Sequence, residues 1–104
     1  MKKYAAHRLY YAPHKYQGQS VVVLNKEGTV HSFCILEEET NATEWVGGII
    51  ILSTQADISS KEDYKDLLAQ QDISSGQCLY AWHLSHFDFI NEIPTKESVL
   101  IRLR

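Results

Sequence analysis

The chain has 104 residues, a formal charge of −3, and 44% hydrophobic against 22% charged residues. This length suits one domain whose core needs neither a metal nor disulfides, and no basic run longer than a pair marks a nucleic-acid surface. No apolar run approaches the ~20 residues of a membrane span, and His7 and Arg8 interrupt the start of the chain before it could form a secretory core. We therefore expect a cytoplasmic protein that binds neither nucleic acid nor a membrane.

The first third of the chain predicts three strands. Residues 3–11 form a first strand with imperfect alternation, and the β-branched run at residues 20–24 predicts a buried second strand. Residues 25–28 predict a hairpin loop, in which Gly28 is well placed for the left-handed conformation that ends such turns. Residues 29–36 predict the return strand, and because both of its faces are partly apolar we expect it inside a sandwich rather than at an edge.

The middle of the chain changes period. Residues 45–52 include a glycine pair followed by an apolar run, and predict a buried strand. Residues 59–71 predict a short helix, since Ser59 and Glu62 fit a capping box and one narrow apolar stripe follows at helical spacing. We expect this helix to lie on another part of the protein.

The last quarter returns to extended structure. Residues 78–84 predict a strand, residues 86–90 continue with a shorter apolar–polar alternation, and residues 99–104 close the chain. In the closing strand Val99, Ile101 and Leu103 are predicted to share one face. Together these elements predict an all-β fold, mainly β with one short helix, built as a small β-sandwich or half-open barrel.

Two isolated cysteines, Cys34 and Cys78, lie within predicted strands and lack a CxxC spacing. Buried, reduced thiols are the expectation, with a disulfide or a reactive thiol as the alternatives.

Several segments resemble one superfamily in order and spacing. The strand at residues 47–52 is similar to the last sandwich strand before the barrel in amidohydrolases, the metal-dependent hydrolases whose barrel opens with a His-x-His metal pair. The other matching segments are residues 6–10, 19–24, 27–30, 76–89 and 95–103. In this superfamily they correspond to the strands of the composite sandwich domain that accompanies the catalytic barrel.

The resemblance implies a sandwich without the barrel. A catalytic (β/α)8 barrel takes ~250 residues, and here the polar run beginning at Ser53 occupies the place of the His-x-His pair. We expect residues 1–104 to form a single β-sandwich domain, with a helical insertion at about 59–71 where the barrel would be. No metal ligand, general base or cofactor carries over from the superfamily, so the expected protein is non-catalytic.

The surface on which a barrel would rest gives the functional expectation. That surface must be covered by the predicted helix, by a second copy or by another protein. We therefore expect a protein-interaction or scaffold role, with a homodimer as one form. Core packing is expected to account for most of the large aromatic side chains of the later strands: Trp45, Tyr80, Trp82 and Phe87.

A histidine cluster supplies the alternative. His83, His86 and Asp88 could give a three-ligand metal site with an open position for water, and hence a small metal-dependent hydrolase. Residues three apart on a strand face opposite sides, so this site requires a turn at Ser85. Hydrogen-bonded or exposed histidines are the competing interpretation. A third possibility is small-ligand binding by the same residues at the mouth of an open sandwich.

Overall fold

A computed structural model describes residues 2–12, 15–35, 43–53, 79–91 and 93–104. These residues form strands and no helix, so the predicted all-β class is confirmed. The strands are β1 Lys2–Ala6, β2 Arg8–Ala12, β3 Lys15–Gln17, β4 Ser20–Leu24, β5 Val30–Ile35, β6 Thr43–Trp45, β7 Ile49–Ser53, β8 Tyr80–Leu84 and β9 Leu100–Arg102. The helix predicted at 59–71 and Cys78 lie outside the described residues.

The strands form two mixed sheets that do not close into a barrel. The first sheet has the order β5-β4-β1-β6, and the second has the order β3-β2-β7-β8-β9. The main core lies between them, because buried side chains of both sheets contact one another there. These side chains are Ala6, Leu9, Val22, Leu24, Ile50, Leu52, Ala81 and Leu103.

The two sheets are joined at a corner, where two chain segments pass side by side from the first sheet into the second. The predictions of one strand at residues 3–11 and one at residues 45–52 are wrong, because each segment forms two strands, one in each sheet. The first segment gives β1 and β2, and the second gives β6 and β7. β1 pairs in parallel with β6 in the first sheet, and β2 pairs in parallel with β7 in the second. The second segment breaks at Gly47 and Gly48, whose φ angles of +69° and +55° suit glycine and interrupt extended structure. The N–H of His7 donates to the Gly48 carbonyl at 3.1 Å, which fixes the two breaks side by side.

The hairpin between β4 and β5 matches the prediction, with Gly28 at φ +82°. Among the described strands β5 lies at the edge of its sheet and pairs with β4, so the predicted interior position of the return strand is wrong there; Val30 at its start also donates a backbone hydrogen bond to Leu79 at 2.8 Å. A bulge at the start of β5 also shifts the alternation of its side chains: Leu24 faces Val30 but Val23 faces Ser32, so β5 has one extra residue at this point. Cys34 is consequently exposed, and the prediction that its thiol is buried is wrong as well.

The end of the chain also departs from its pattern. Val99 and Ile101 are 51% and 55% exposed whereas Leu103 is buried, so the three side chains predicted to share one face differ in burial. This exposure follows from the position of β9, which lies at the end of the second sheet and, among the residues that the structure describes, pairs only with β8. The alternation at residues 86–90 forms a turn rather than a strand, closed by an isolated bridge between Asp88 and Ile93.

Candidate functional site: an aromatic patch at the corner of the sheets

Five side chains form a continuous surface at the corner, which we call the aromatic patch: Trp45, His7, Phe89, Arg8 and Tyr16. The ring of His7 meets Trp45 edge to face, with 4.8 Å between centroids, and meets Phe89 in the same manner at 5.5 Å. The Arg8 guanidinium carbon lies 5.0 Å from the centroid of Phe89 and 4.4 Å from that of Tyr16. The cation therefore lies between two rings, and the five groups form one connected surface.

The corner brings these groups together from separate parts of the chain. His7 and Arg8 sit where β1 passes into β2, and Trp45 ends β6 opposite Ala5 of β1. Tyr16 comes from β3, one strand further along the second sheet, and Phe89 comes from the turn after β8. The patch therefore exists only when both parallel strand pairs have formed.

A buried layer supports the patch from below. Tyr10 and Phe87 belong to a second cluster of buried residues on the outer side of the second sheet. Tyr10 packs on Tyr16 at 5.0 Å between centroids, and Phe87 packs edge to face on Phe89 at 5.5 Å. Arg8 Nη1 donates a hydrogen bond to Tyr10 Oη at 3.2 Å, so the cation is fixed from its buried side as well.

The turn that carries Phe89 is fixed by its own polar contacts. The Asp88 carboxylate accepts hydrogen bonds from the backbone N–H groups of Ile90 and Asn91, at 3.0 and 3.1 Å, and from the Asn91 amide at 2.8 Å. The Asn91 side chain, followed by these backbone donors, lowers the pKa of Asp88. Ile90 projects from this turn with 93% of its surface exposed.

The patch combines a rigid base with an exposed top. Trp45 is 48% exposed and Tyr16 is 41% exposed, although each packs against another member of the patch. The attraction between a guanidinium and an aromatic face is worth about 0.5–2 kcal/mol, so it helps to hold Arg8 against Tyr16 and Phe89. Chemically the patch offers ring faces, ring edges and one partly covered cation. These groups suit binding.

The predicted metal trio is not assembled. His83 lies on β8, and its Nε2–H donates to the Gly47 carbonyl at 3.1 Å. Burial lowers the pKa of His83, while hydrogen bonds to the carbonyls of Gly47 and Val46 act in the opposite direction. This histidine holds the glycine corner against β8.

The other two members of the trio have separate partners. His86 is exposed at φ +52°, and its carbonyl accepts hydrogen bonds from Thr95 Oγ1 at 2.8 Å and Ser98 Oγ at 3.1 Å. Asp88 binds the Ile90–Asn91 backbone described above. Within the described ranges, no group of three or more His, Cys, Asp or Glu side chains could hold a metal ion.

The four large aromatic residues named in the sequence analysis lie in different environments. Trp82 and Phe87 are buried, and Tyr80 is half-buried beneath Arg102, so these three serve packing. Trp45 is the one of the four that joins the patch. His7, Arg8, Tyr16 and Phe89 were not predicted, because nothing local in the sequence marks them as neighbours.

Comparison of the chain with protein-family models, with curated proteins and with solved structures finds no match. Among the residues that the structure describes, none form a helix long and apolar enough to span a bilayer.

Proposed function

We propose that this protein is a non-catalytic, cytoplasmic interaction module, that its binding surface is the aromatic patch, and that its partner there is a second copy of the chain. The observation that carries the proposal is the half-exposed Trp45, held edge to face by His7 at the end of a connected row of rings.

The composition of the patch supports a protein partner. Tryptophan, tyrosine and arginine are the residue types that contribute most to binding energy at protein interfaces, and the patch has one of each in Trp45, Tyr16 and Arg8. Tyr10 of the buried layer holds Tyr16 and Arg8, and the His7 ring packs on Trp45, before any partner arrives. Ordering side chains at an interface costs about 0.5–1.5 kcal/mol for each flexible group, and this cost is reduced when the group is already packed.

Charge supports a second copy as that partner. A two-fold dimer places the same patch on both sides of the interface, so the patch must be complementary to itself. Rings meet this condition because the edge of one ring attracts the face of another. The patch has one permanent cation, Arg8, and the rings of Tyr16 and Phe89 cover it on two sides. Repulsion between the two copies is therefore limited.

The resemblance to the amidohydrolase composite domain supports the same proposal from ancestry. A sandwich that has lost its barrel exposes a surface that formerly made contacts, and a dimer is one way to cover it. The resemblance gives no preference among the surfaces of the sandwich, so the choice of the patch rests on Trp45 and its neighbours.

The experiment is sedimentation equilibrium across a concentration series on the wild type and three variants. We expect a monomer–dimer equilibrium that Trp45→Ala weakens by about 30-fold, which corresponds to about 2 kcal/mol at a central interface residue. Ile90→Asp places a charge next to the patch, at the exposed tip of the turn that carries Phe89, without removing a packed group, and is expected to weaken the dimer as well. Ile101→Ala is the matched control, because Ile101 is also an exposed apolar residue but lies on β9, outside the patch.

Two results would overturn the proposal. One is a wild type that remains monomeric up to about 1 mM, a concentration at which even weak specific dimers form. The other is a dimer that Ile101→Ala weakens as much as Trp45→Ala does, since the interface would then not be the patch. Circular dichroism of each variant separates a lost interface from a lost fold.

A further inference from the structure

A second feature lies at the other end of β1. A cleft of about 470 Å³ opens between the start of β1, the β4–β5 hairpin and the end of the chain. Four cationic side chains line it, Lys2, Lys26, Arg102 and Arg104, together with hairpin residues 25–28. We call it the basic cleft. Lys2 and His7 are five positions apart along the chain, so the basic cleft and the aromatic patch are roughly 17 Å apart.

The charge of the basic cleft is opposite to that of the chain as a whole. Among the described residues, its lining side chains are four cations and one carboxylate, Glu27, which is an excess of three positive charges. The whole chain has a formal charge of −3. Like charges gathered around one concave surface repel one another and raise the local concentration of anions. A bound anion would remove that repulsion.

Arg102 is the most constrained of the four cations. Its guanidinium carbon lies 4.3 Å from the centroid of the Tyr80 ring, so the planar group is stacked on one side. Its Nε is buried and has no hydrogen-bond partner among the residues that the structure describes. Burying a donor of a charged group without a partner is unfavourable. Because the charge is delocalised over the guanidinium, an anion at the terminal nitrogens would offset part of this cost.

The walls of the basic cleft are fixed by contacts within the chain. On one side the Asn25 side-chain oxygen accepts hydrogen bonds from the N–H groups of Glu27 and Thr29, both at 3.1 Å. On the other side Lys2 Nζ and Tyr4 Oη both donate to the Arg104 carbonyl oxygen, at 3.0 and 2.8 Å. The hairpin and the end of the chain are thus held in place on both sides of the cavity.

Gly28 lies in the wall formed by the hairpin, beside Arg102. Its φ of +82° suits glycine, and a β-carbon at this position would lie 3.7 Å from Arg102 Nη2. The backbone of the hairpin therefore runs directly beside the guanidinium. A cavity of this volume falls within the range of small-molecule sites, about 300–1,000 Å³.

We propose that the basic cleft binds a small molecule through a diphosphate group. A terminal phosphate carries roughly −1.5 to −2 charges near neutral pH and the inner phosphate of a diphosphate adds about one more, so the group matches the three excess positive charges of the lining side chains. The planar donors of Arg102 suit phosphate oxygens, and Lys26 at the exposed hairpin supplies a movable cation. This site gives the protein a ligand in addition to the partner that the aromatic patch would bind.

Inorganic pyrophosphate is the probe, titrated by calorimetry and by thermal unfolding at constant ionic strength set with sodium chloride. We expect saturable binding and a rise in Tm for the wild type. Lys26→Gln is expected to weaken binding by about three- to tenfold, and Arg102→Gln by more than about tenfold, as for the loss of a charge-assisted contact. Lys26 is exposed, so its variant retains the fold even where the stacked Arg102 does not tolerate replacement.

Lys3→Gln is the matched control. It removes the same charge one residue from Lys2, but consecutive residues of β1 point to opposite faces, and Lys3 does not line the basic cleft. Equal weakening by Lys3→Gln and Lys26→Gln would overturn the proposal, because only the overall charge would then matter. Absence of saturable binding up to about 10 mM would also overturn it. Equal binding of citrate would refute the phosphate assignment.

Discussion

A row of three residues across the second sheet shows how position controls burial. Ile50 of β7, His83 of β8 and Ile101 of β9 lie directly opposite one another in the strand register. Ile50 is fully buried, His83 is half-buried and Ile101 is more than half exposed. The two isoleucines lie in similar apolar runs. The comparison teaches that an apolar run identifies a strand, whereas the place of that strand in the sheet decides what the run contacts.

The largest expected effect is the difference between the two ends of this row. Ile50→Ala removes a fully buried side chain from the core and is expected to lower the free energy of unfolding by about 2–5 kcal/mol. Ile101→Ala changes an exposed side chain and is expected to stay within about 0.5 kcal/mol of the wild type. Urea unfolding of both variants measures the difference. Similar losses would mean that β9 is covered in solution.

The next effect concerns the corner at which β7 begins. Gly48→Ala places a β-carbon against the carbonyl oxygen of Leu84, on a backbone whose φ is +55°. Because a clash and a left-handed backbone act together, we expect a loss of more than about 2 kcal/mol. The control is Gly18→Ala: a β-carbon there meets no atom within 4 Å, so the change is expected to be neutral or slightly stabilising.

Thermal unfolding of the two glycine variants measures these changes. A Gly48→Ala protein as stable as the Gly18→Ala protein would mean that the corner relaxes without cost. In that case Gly48 would not be needed for the close approach of β7 and β8.

The sequence predicts the local parts of this fold. The β-branched run of β4, the turn at Gly28 and the strand at β8 each have a signal that lies within a few neighbouring residues. The division of residues 3–11 into two strands has no such signal, because it follows from parallel pairing with a segment about 40 residues later. The edge position of β5 likewise depends on sheet order, which the sequence does not encode locally.

The candidate site follows the same rule. Trp45 could be singled out as a large aromatic side chain, but its neighbours in the aromatic patch could not. His7 and Arg8 join it through the pairing of β1 with β6, and Phe89 joins through a turn more than 40 residues away. The row of rings depends on contacts distant in sequence, so its discovery requires the sheet topology.

The smallest expected effect lies in the middle of the row, at His83. Burial lowers its pKa below the ordinary 6.5, although hydrogen bonds to the carbonyls of Gly47 and Val46 partly oppose the shift. Above pH 6.5 the imidazole is neutral in both the folded and the unfolded chain. As the pH falls below 6.5 the unfolded chain takes up this proton first, so the free energy of unfolding decreases until the folded form is protonated too.

We expect His83→Gln to reduce this loss, since glutamine is neutral at every pH and its amide N–H can donate to the Gly47 carbonyl. The measurement is the free energy of unfolding at pH 7.5 and 5.5 for the wild type and the variant, repeated at high salt. Desolvation of a half-buried ring is not screened by salt, whereas attraction or repulsion between exposed charges is. If the pH dependence is unchanged in His83→Gln, or if it disappears at high salt, surface charges rather than His83 cause it. If the pH dependence of the wild type persists at high salt and is smaller in the variant, it originates at the imidazole of His83, which holds the glycine corner to β8.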